Sequence, residues 1–77
     1  MKPEYSNEYI QLGLKIAYFR KLRGLTQEQL AESIGRSAAF IGHVEAPNII
    51  KAVSLDTLLD ISRVLDVSAH KFLMFEE

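Results

Sequence analysis

Little in this chain is arranged for covalent chemistry. It has no cysteine and two histidines, His43 and His70. Neither histidine has an acid at ligand spacing, so no metal site is expected. Asp56 and Asp60 stand four apart, which on a helix makes a solvated acidic face. There is no glycine-rich phosphate loop and no serine or histidine in a nucleophile context. Neither an enzyme nor a cofactor is expected. The charge pattern is more informative than the net charge of −1. From residue 15 to residue 51, Lys15, Arg20, Lys21, Arg23, Arg36 and Lys51 outnumber Glu28, Glu32 and Glu45, a balance of +3. Residues 1–14 carry −1 and residues 52–77 carry −3. Any anionic partner would be met by the middle of the chain.

That middle stretch also has the plainest local grammar. Thr26 with Gln29 three residues on makes a capping box. Leu25, Leu30, Ala31 and Ile34 then share one helical face. Gly35 is the residue type that ends a helix in a left-handed conformation. Ser37 can cap a further helix, in which Phe40, Ile41 and Val44 supply the apolar stripe. Both helices are short, and isolated helices under roughly 12 residues are marginal in water. The rest of the chain must cover them.

The 77 residues predict one domain spanning 1–77, with a two-helix unit over about 26–45. An apolar fraction of 48% suffices for a core and argues against disorder. No apolar run approaches the roughly 18 residues of a membrane span, and residues 1–10 lack a signal-peptide pattern. A cytoplasmic protein is expected. Residues 1–6 read as a loose segment, with Ser6 or Asn7 capping a first helix that runs to about Arg23 and stops at Gly24. Tyr9, Leu12, Ile16 and Phe19 make its inner face. Leu14, Tyr18 and Leu22 form a second stripe, expected to pack against the N-terminal segment rather than a partner. The loop 46–53 is broken by Pro47 and Asn48 and carries Ile49, Ile50 and Val53, some of them expected to be covered. Ser54 caps a helix with Leu55, Leu58, Ile61 or Ser62, and Leu65 at helical period, and Asp56 suits its dipole. Ser68 is expected to cap a fifth helix bearing Phe72, Leu73 and Phe75.

Taken together, GLTQEQLAESIG, SxxxIxxVE and SLDTLLDISRVLDVS resemble the phage-repressor or Xre-type helix-turn-helix family, over roughly Leu12 to Leu73. The resemblance implies an all-α, compact five-helix lambda-repressor-like domain. It would bind double-stranded operator DNA, usually as a homodimer, with its third helix in the major groove. Carried over by position, Gln27 matches a residue that touches phosphate and braces the recognition helix. Thr26 and Ser37 match the helix-start hydroxyls, and Ser37 with its neighbouring free N–H groups can meet phosphate. Ala38, Ala39 and His43 match positions that face base edges. Arg20 and Glu45 match an ion pair that would fix the arginine near the DNA backbone. Arg36, in the turn before the recognition helix, is expected at phosphate or groove. Lys21 and Arg23 read as a solvated helix end, and His70 as surface.

Three features depart from the family pattern. Alanines at reader positions cannot make the paired hydrogen bonds that distinguish bases. Gly42 sits inside a helix at a cost of about 1 kcal/mol relative to alanine, which predicts a close backbone approach. The loop before the fourth helix is longer than is common and has only Asn48 and Lys51 to offer phosphate. The function expected is a sequence-specific transcriptional regulator without a ligand-sensing domain. Homodimerisation is expected through the last helix, at Phe72, Leu73 and Phe75, with Ile49 and Ile50. The rival is an interaction module that keeps the fold but has lost DNA reading, using Leu14, Tyr18, Ile49 and Ile50 to hold another protein.

Overall fold

In the computed structural model, which describes residues 2–76, all regular structure is helical: four α-helices and two 3-10 segments. Helix α1 spans Ser6–Leu22, α2 Gln27–Ser33, α3 Ala38–Glu45 and α4 Leu55–Leu65. The expected fifth helix is instead the 3-10 segment Ala69–Leu73, and Ser68 makes no capping hydrogen bond to it. Five residues close too few i→i−4 bonds to hold an α-helix against the nucleation cost. Residues 1–6, expected to be loose, hold a 3-10 turn at Pro3–Tyr5, while Met1 lies outside the described residues. Ser6 does not cap α1, because its hydroxyl turns back to the carbonyl of Pro3 at 2.6 Å.

Three caps fall where the sequence places them. The Thr26 hydroxyl accepts from Gln29 N–H at 3.0 Å, and the Gln29 amide oxygen accepts from Thr26 N–H at 2.8 Å. Ser37 accepts from Phe40 N–H, and Ser54 from Thr57 N–H, both at 3.1 Å. Gly24 and Gly35 take positive φ values of 75° and 70° where α1 and α2 end. The end of α4 is less orthodox. Asp66 closes it at φ 54°, a left-handed conformation that costs a non-glycine residue about 1 kcal/mol or more.

The core is one cluster to which every α-helix contributes: Leu12 and Ile16, Leu30 and Ala31, Phe40, Ile41 and Val44, and Leu58, Ile61 and Leu65. Phe72 plugs it from the C-terminal side, fully buried, with its ring edge-on to Phe19 at 5.2 Å. Phe72 is therefore a core residue and cannot form a dimer contact. Two expectations about apolar stripes also change. Leu14, Tyr18 and Leu22 do not pack under the N-terminal segment; they are exposed along the outer face of α1. Leu55, at the start of α4, is exposed as well, and the buried residues of that turn are Thr57 and Leu58.

Gly13 decides how α1 meets α3. A Cβ built at this position would collide with the carbonyl oxygen of Val44 and stand 3.0 Å from its carbonyl carbon. The two helices thus cross backbone to backbone, and only glycine allows it. Gly42, where the sequence predicted a close approach, has ordinary room: the nearest atom to a Cβ there is Gln27 Oε1 at 3.5 Å.

Candidate nucleic-acid interface

The site is built on α2 and α3, which are too short to hold their own angle. A buried ion pair holds it for them. Arg20, from α1, donates through Nε to Glu45 Oε2 at 2.7 Å and through its terminal nitrogen to Glu45 Oε1 at 2.8 Å. A third guanidinium nitrogen donates to the Leu25 carbonyl at 2.8 Å, tying down the chain where it enters α2. Gln27 completes the cluster by donating to Glu45 Oε1 at 3.0 Å. Both charged residues are 7% exposed. Hydrogen bonding to Glu45 raises the affinity of Arg20 for its proton above an already high ordinary value, with burial opposing and the glutamate's charge adding. Arg20 is therefore a permanent cation, with each of its three guanidinium nitrogens donating a hydrogen bond inside the protein. It ties α1 to the end of α3 and to the start of α2, and it lines a surface recess with Thr26, Gln27, Glu28 and Ala38.

The residues read from the sequence as candidates are all at least partly exposed. Thr26, Arg36, Ser37, Ala39, His43, Asn48 and Lys51 are exposed, and Gln27 and Ala38 are half-buried. Thr26 and Ser37 are engaged as helix caps, which leaves them one remaining lone pair and a hydroxyl proton each. The first N–H groups of α3 have no acceptor within the helix. Ala38, Ala39 and His43 stand along α3 at positions 38, 39 and 43 with no side-chain hydrogen bond. Gln27 offers bases or phosphate only what its bond to Glu45 leaves over.

The structure brings together two residues that are 15 apart in sequence. The Arg36 guanidinium lies over the face of the Phe40 ring, 3.9 Å from its centroid, and Lys51 Nζ approaches the same ring at 5.9 Å. Such contacts contribute about 0.5–1 kcal/mol each at exposed sites. Among the described residues neither cation has a carboxylate within 4.0 Å. Phe40 itself is a core residue at 9% exposure, so this edge of the ring serves both core and surface. Sequence reasoning treated Phe40 as apolar filling; its place four residues after Arg36, one helical turn on, was the signal available.

Arg23 has a different role from the solvated helix end expected of it. Its guanidinium donates to the Leu65 carbonyl at 2.7 Å and to the Asp66 carbonyl at 3.1 Å. It thereby satisfies the open end of α4 rather than that of α1, and stands removed from the α3 surface. Among the described residues no group of three or more histidine, cysteine or acidic side chains could hold a metal ion.

Two short helices joined through a glycine turn, the second capped by serine and anchored by a buried Arg–Glu pair, define a helix-turn-helix protein. The family model described as "Helix-turn-helix" matches residues 16–72. The chain belongs to that family. It is 37% identical over 59 residues to the HTH-type transcriptional regulator YazB of Bacillus subtilis (strain 168), a match covering 77% of this chain and 83% of that protein. Its fold is similar to that of the restriction-modification controller protein C.AhdI from Aeromonas hydrophila, with a TM-score of 0.81, 26% identity, and 90% of this chain and 97% of the other covered. It is also similar to SinR, the master regulator for biofilm formation, crystallised in complex with DNA. That match has a TM-score of 0.73 and 34% identity, over 80% of this chain and 97% of SinR.

Proposed function

We propose that this protein is a DNA-binding transcriptional regulator that acts without catalysis in the cytoplasm. It docks on double-stranded DNA with α3 in the major groove and α2 across the backbone. The observation that carries this reading is the pair of cations, Arg36 and Lys51, at the Phe40 ring in the first turn of α3, with no carboxylate within 4.0 Å of either among the described residues. Family membership and the fold shared with SinR, whose crystal structure contains DNA, support it. In this reading Ser37, Arg36, Lys51, Asn48, Thr26 and Gln27 hold phosphates, while Ala38, Ala39 and His43 face the bases. Alanine methyl groups can meet a thymine methyl but cannot specify more. Discrimination then rests heavily on His43 and on the shape and deformability of the DNA.

The reading includes a homodimer. Leu73 and Phe75, at 46% and 37% exposure, line an apolar groove of about 320 Å³ with Val53, Leu55 and Leu58. Glu8 borders it, and its Oε1 is buried without a hydrogen-bond partner. Ile49 and Ile50, exposed on the preceding loop, extend the available apolar surface. Phe72 is excluded by its burial.

A selection from random oligonucleotides at low and moderate salt tests the proposal. Enrichment of a two-fold symmetric site, with half-sites about one helical turn apart, is the expected result. Absence of any binding at low salt would instead favour an interaction module. The exposed stripe of Leu14, Tyr18 and Leu22 on α1 is the observation in favour of that second reading. Sedimentation analysis showing a monomer at high micromolar concentration would remove the dimer.

A further inference from the structure

We infer that Arg36 and Lys51 form a single phosphate clamp assembled on the Phe40 ring, with Phe40 as its positioning residue. The inference rests on the DNA-binding reading above. Arg36 belongs to the turn before α3, and Lys51 to the loop that follows α3. Neither segment has regular structure to aim a long side chain. Both cations are nevertheless drawn to one aromatic ring, at 3.9 Å and 5.9 Å from its centroid. The two charges therefore lie within roughly 10 Å of each other, about one Debye length at 0.1 M salt, and they repel. No carboxylate stands within 4.0 Å of either among the described residues. The only ion pair there is the buried Arg20–Glu45 bridge.

Two like charges held together without a counter-charge form a preorganised site for an anion. The quadrupole of the ring offsets part of their repulsion, and an anion between them removes the rest. The site lies at the N-terminal turn of α3, where Ser37 caps the helix. A DNA phosphate is the anion that a helix docked in the major groove brings there. Phe40 touches no DNA in this scheme. It limits where the guanidinium and the ammonium can go, so that less side-chain freedom is lost on binding. It also couples the loop 46–53 to the start of the recognition helix, a coupling the spacing along the chain does not suggest.

The number of phosphates distinguishes a clamp from two separate contacts. Each neutralised phosphate contributes about 0.9 to the slope of log K against log salt on duplex DNA. The full chain and its Arg36→Ala, Lys51→Ala and doubly substituted forms would be titrated with a mixed-sequence duplex of about 30 base pairs between 50 and 200 mM salt. The clamp predicts that the double variant loses about 0.9 in slope, the loss expected for one phosphate and equal to a three- to fourfold smaller change in affinity across that range. A slope loss near 1.8, built additively from the single variants, would overturn it. So would retention of the wild-type slope by the double variant.

Phe40→Leu keeps an apolar side chain in the core and removes the ring. In protein shown to be folded by circular dichroism, it is expected to reduce the slope as the double variant does, and Arg36→Ala added to it is expected to change nothing further. An unchanged slope in folded Phe40→Leu would overturn the positioning role. If that variant does not fold, the two exposed cations still decide the clamp. Failure of the unsubstituted chain to bind the duplex at 50 mM salt would refute DNA binding itself, whereas salt-sensitive binding with additive losses would refute the clamp alone.

Discussion

Adding one methyl group at Gly13 should be more damaging than any other single-carbon change in this protein. The new Cβ would overlap the Val44 carbonyl oxygen and sit at the lower limit of contact, 3.0 Å, from its carbon. Both atoms belong to backbone inside α3, so no side chain can rotate away. Helix α3 would have to retreat from α1 by about 1 Å, and a gap of that size forfeits up to half of the dispersion attraction across the contact. Ile16, Ile41 and Val44, all buried between or beside these helices, would lose that packing together. Overpacking alone costs about 1–3 kcal/mol. Alanine returns about 1 kcal/mol through its helix propensity, but the loosened crossing also strains the Arg20–Glu45 bridge, which spans the same two helices. A net loss of about 2 kcal/mol is expected, which in a domain of this size lowers Tm by roughly 8–16 °C. Gly42→Ala is the matched control. The same methyl there meets Gln27 Oε1 at an ordinary 3.5 Å, so the propensity gain should raise Tm by about 4–8 °C. Thermal melts followed by far-ultraviolet circular dichroism would measure both. If Gly13→Ala melts within a few degrees of the parent chain, the backbone-to-backbone crossing is wrong.

Other substitutions probe the frame of the site and the end of α4. Glu45→Ala strands a buried guanidinium and should cost about 3–5 kcal/mol in urea unfolding, whereas replacing both partners, Arg20→Met with Glu45→Leu, should cost far less, because an apolar pair needs no desolvation. Thr26→Ala removes the acceptor of the α2 capping box and should cost about 1 kcal/mol, read as a lower urea midpoint at unchanged m value. Asp66→Gly relieves the left-handed strain at the end of α4 while keeping the carbonyl that Arg23 holds; a gain of about 0.5–1 kcal/mol in urea unfolding is expected, and a loss would mean that the aspartate side chain has an unrecognised role.

Local signals in the sequence were sufficient for the helices and for most of their ends. Thr26, Ser37 and Ser54 cap because a short hydroxyl side chain reaches the third N–H of the helix it precedes, whatever surrounds it. Leu12, Ile16, Leu30, Ile41, Leu58 and Leu65 are buried because the 3.6-residue period assigns a helix its apolar face. The last element was misjudged for the opposite reason. Between Ala69 and Leu73 packing, with Phe72 inserted into the core, overrides helical propensity and leaves a 3-10 segment.

At the site, residue type and position along the helix-turn-helix were enough to nominate Arg36 and Ser37, since local grammar fixes which residues begin α3; Lys51 was nominated as the one cation of the loop that follows. The sequence by itself therefore determined three of the helix caps, the glycine turns after α1 and α2, most of the apolar faces and the family pattern, all of which depend on interactions within a few residues. Tertiary structure alone decided that Gly13 rather than Gly42 is the close approach, that Arg23 serves α4, that Phe72 is sealed in the core, and that Arg36 and Lys51 meet on Phe40. Each of these depends on which face of one helix meets another, and that is set by the packing of the whole core, not by neighbours along the chain.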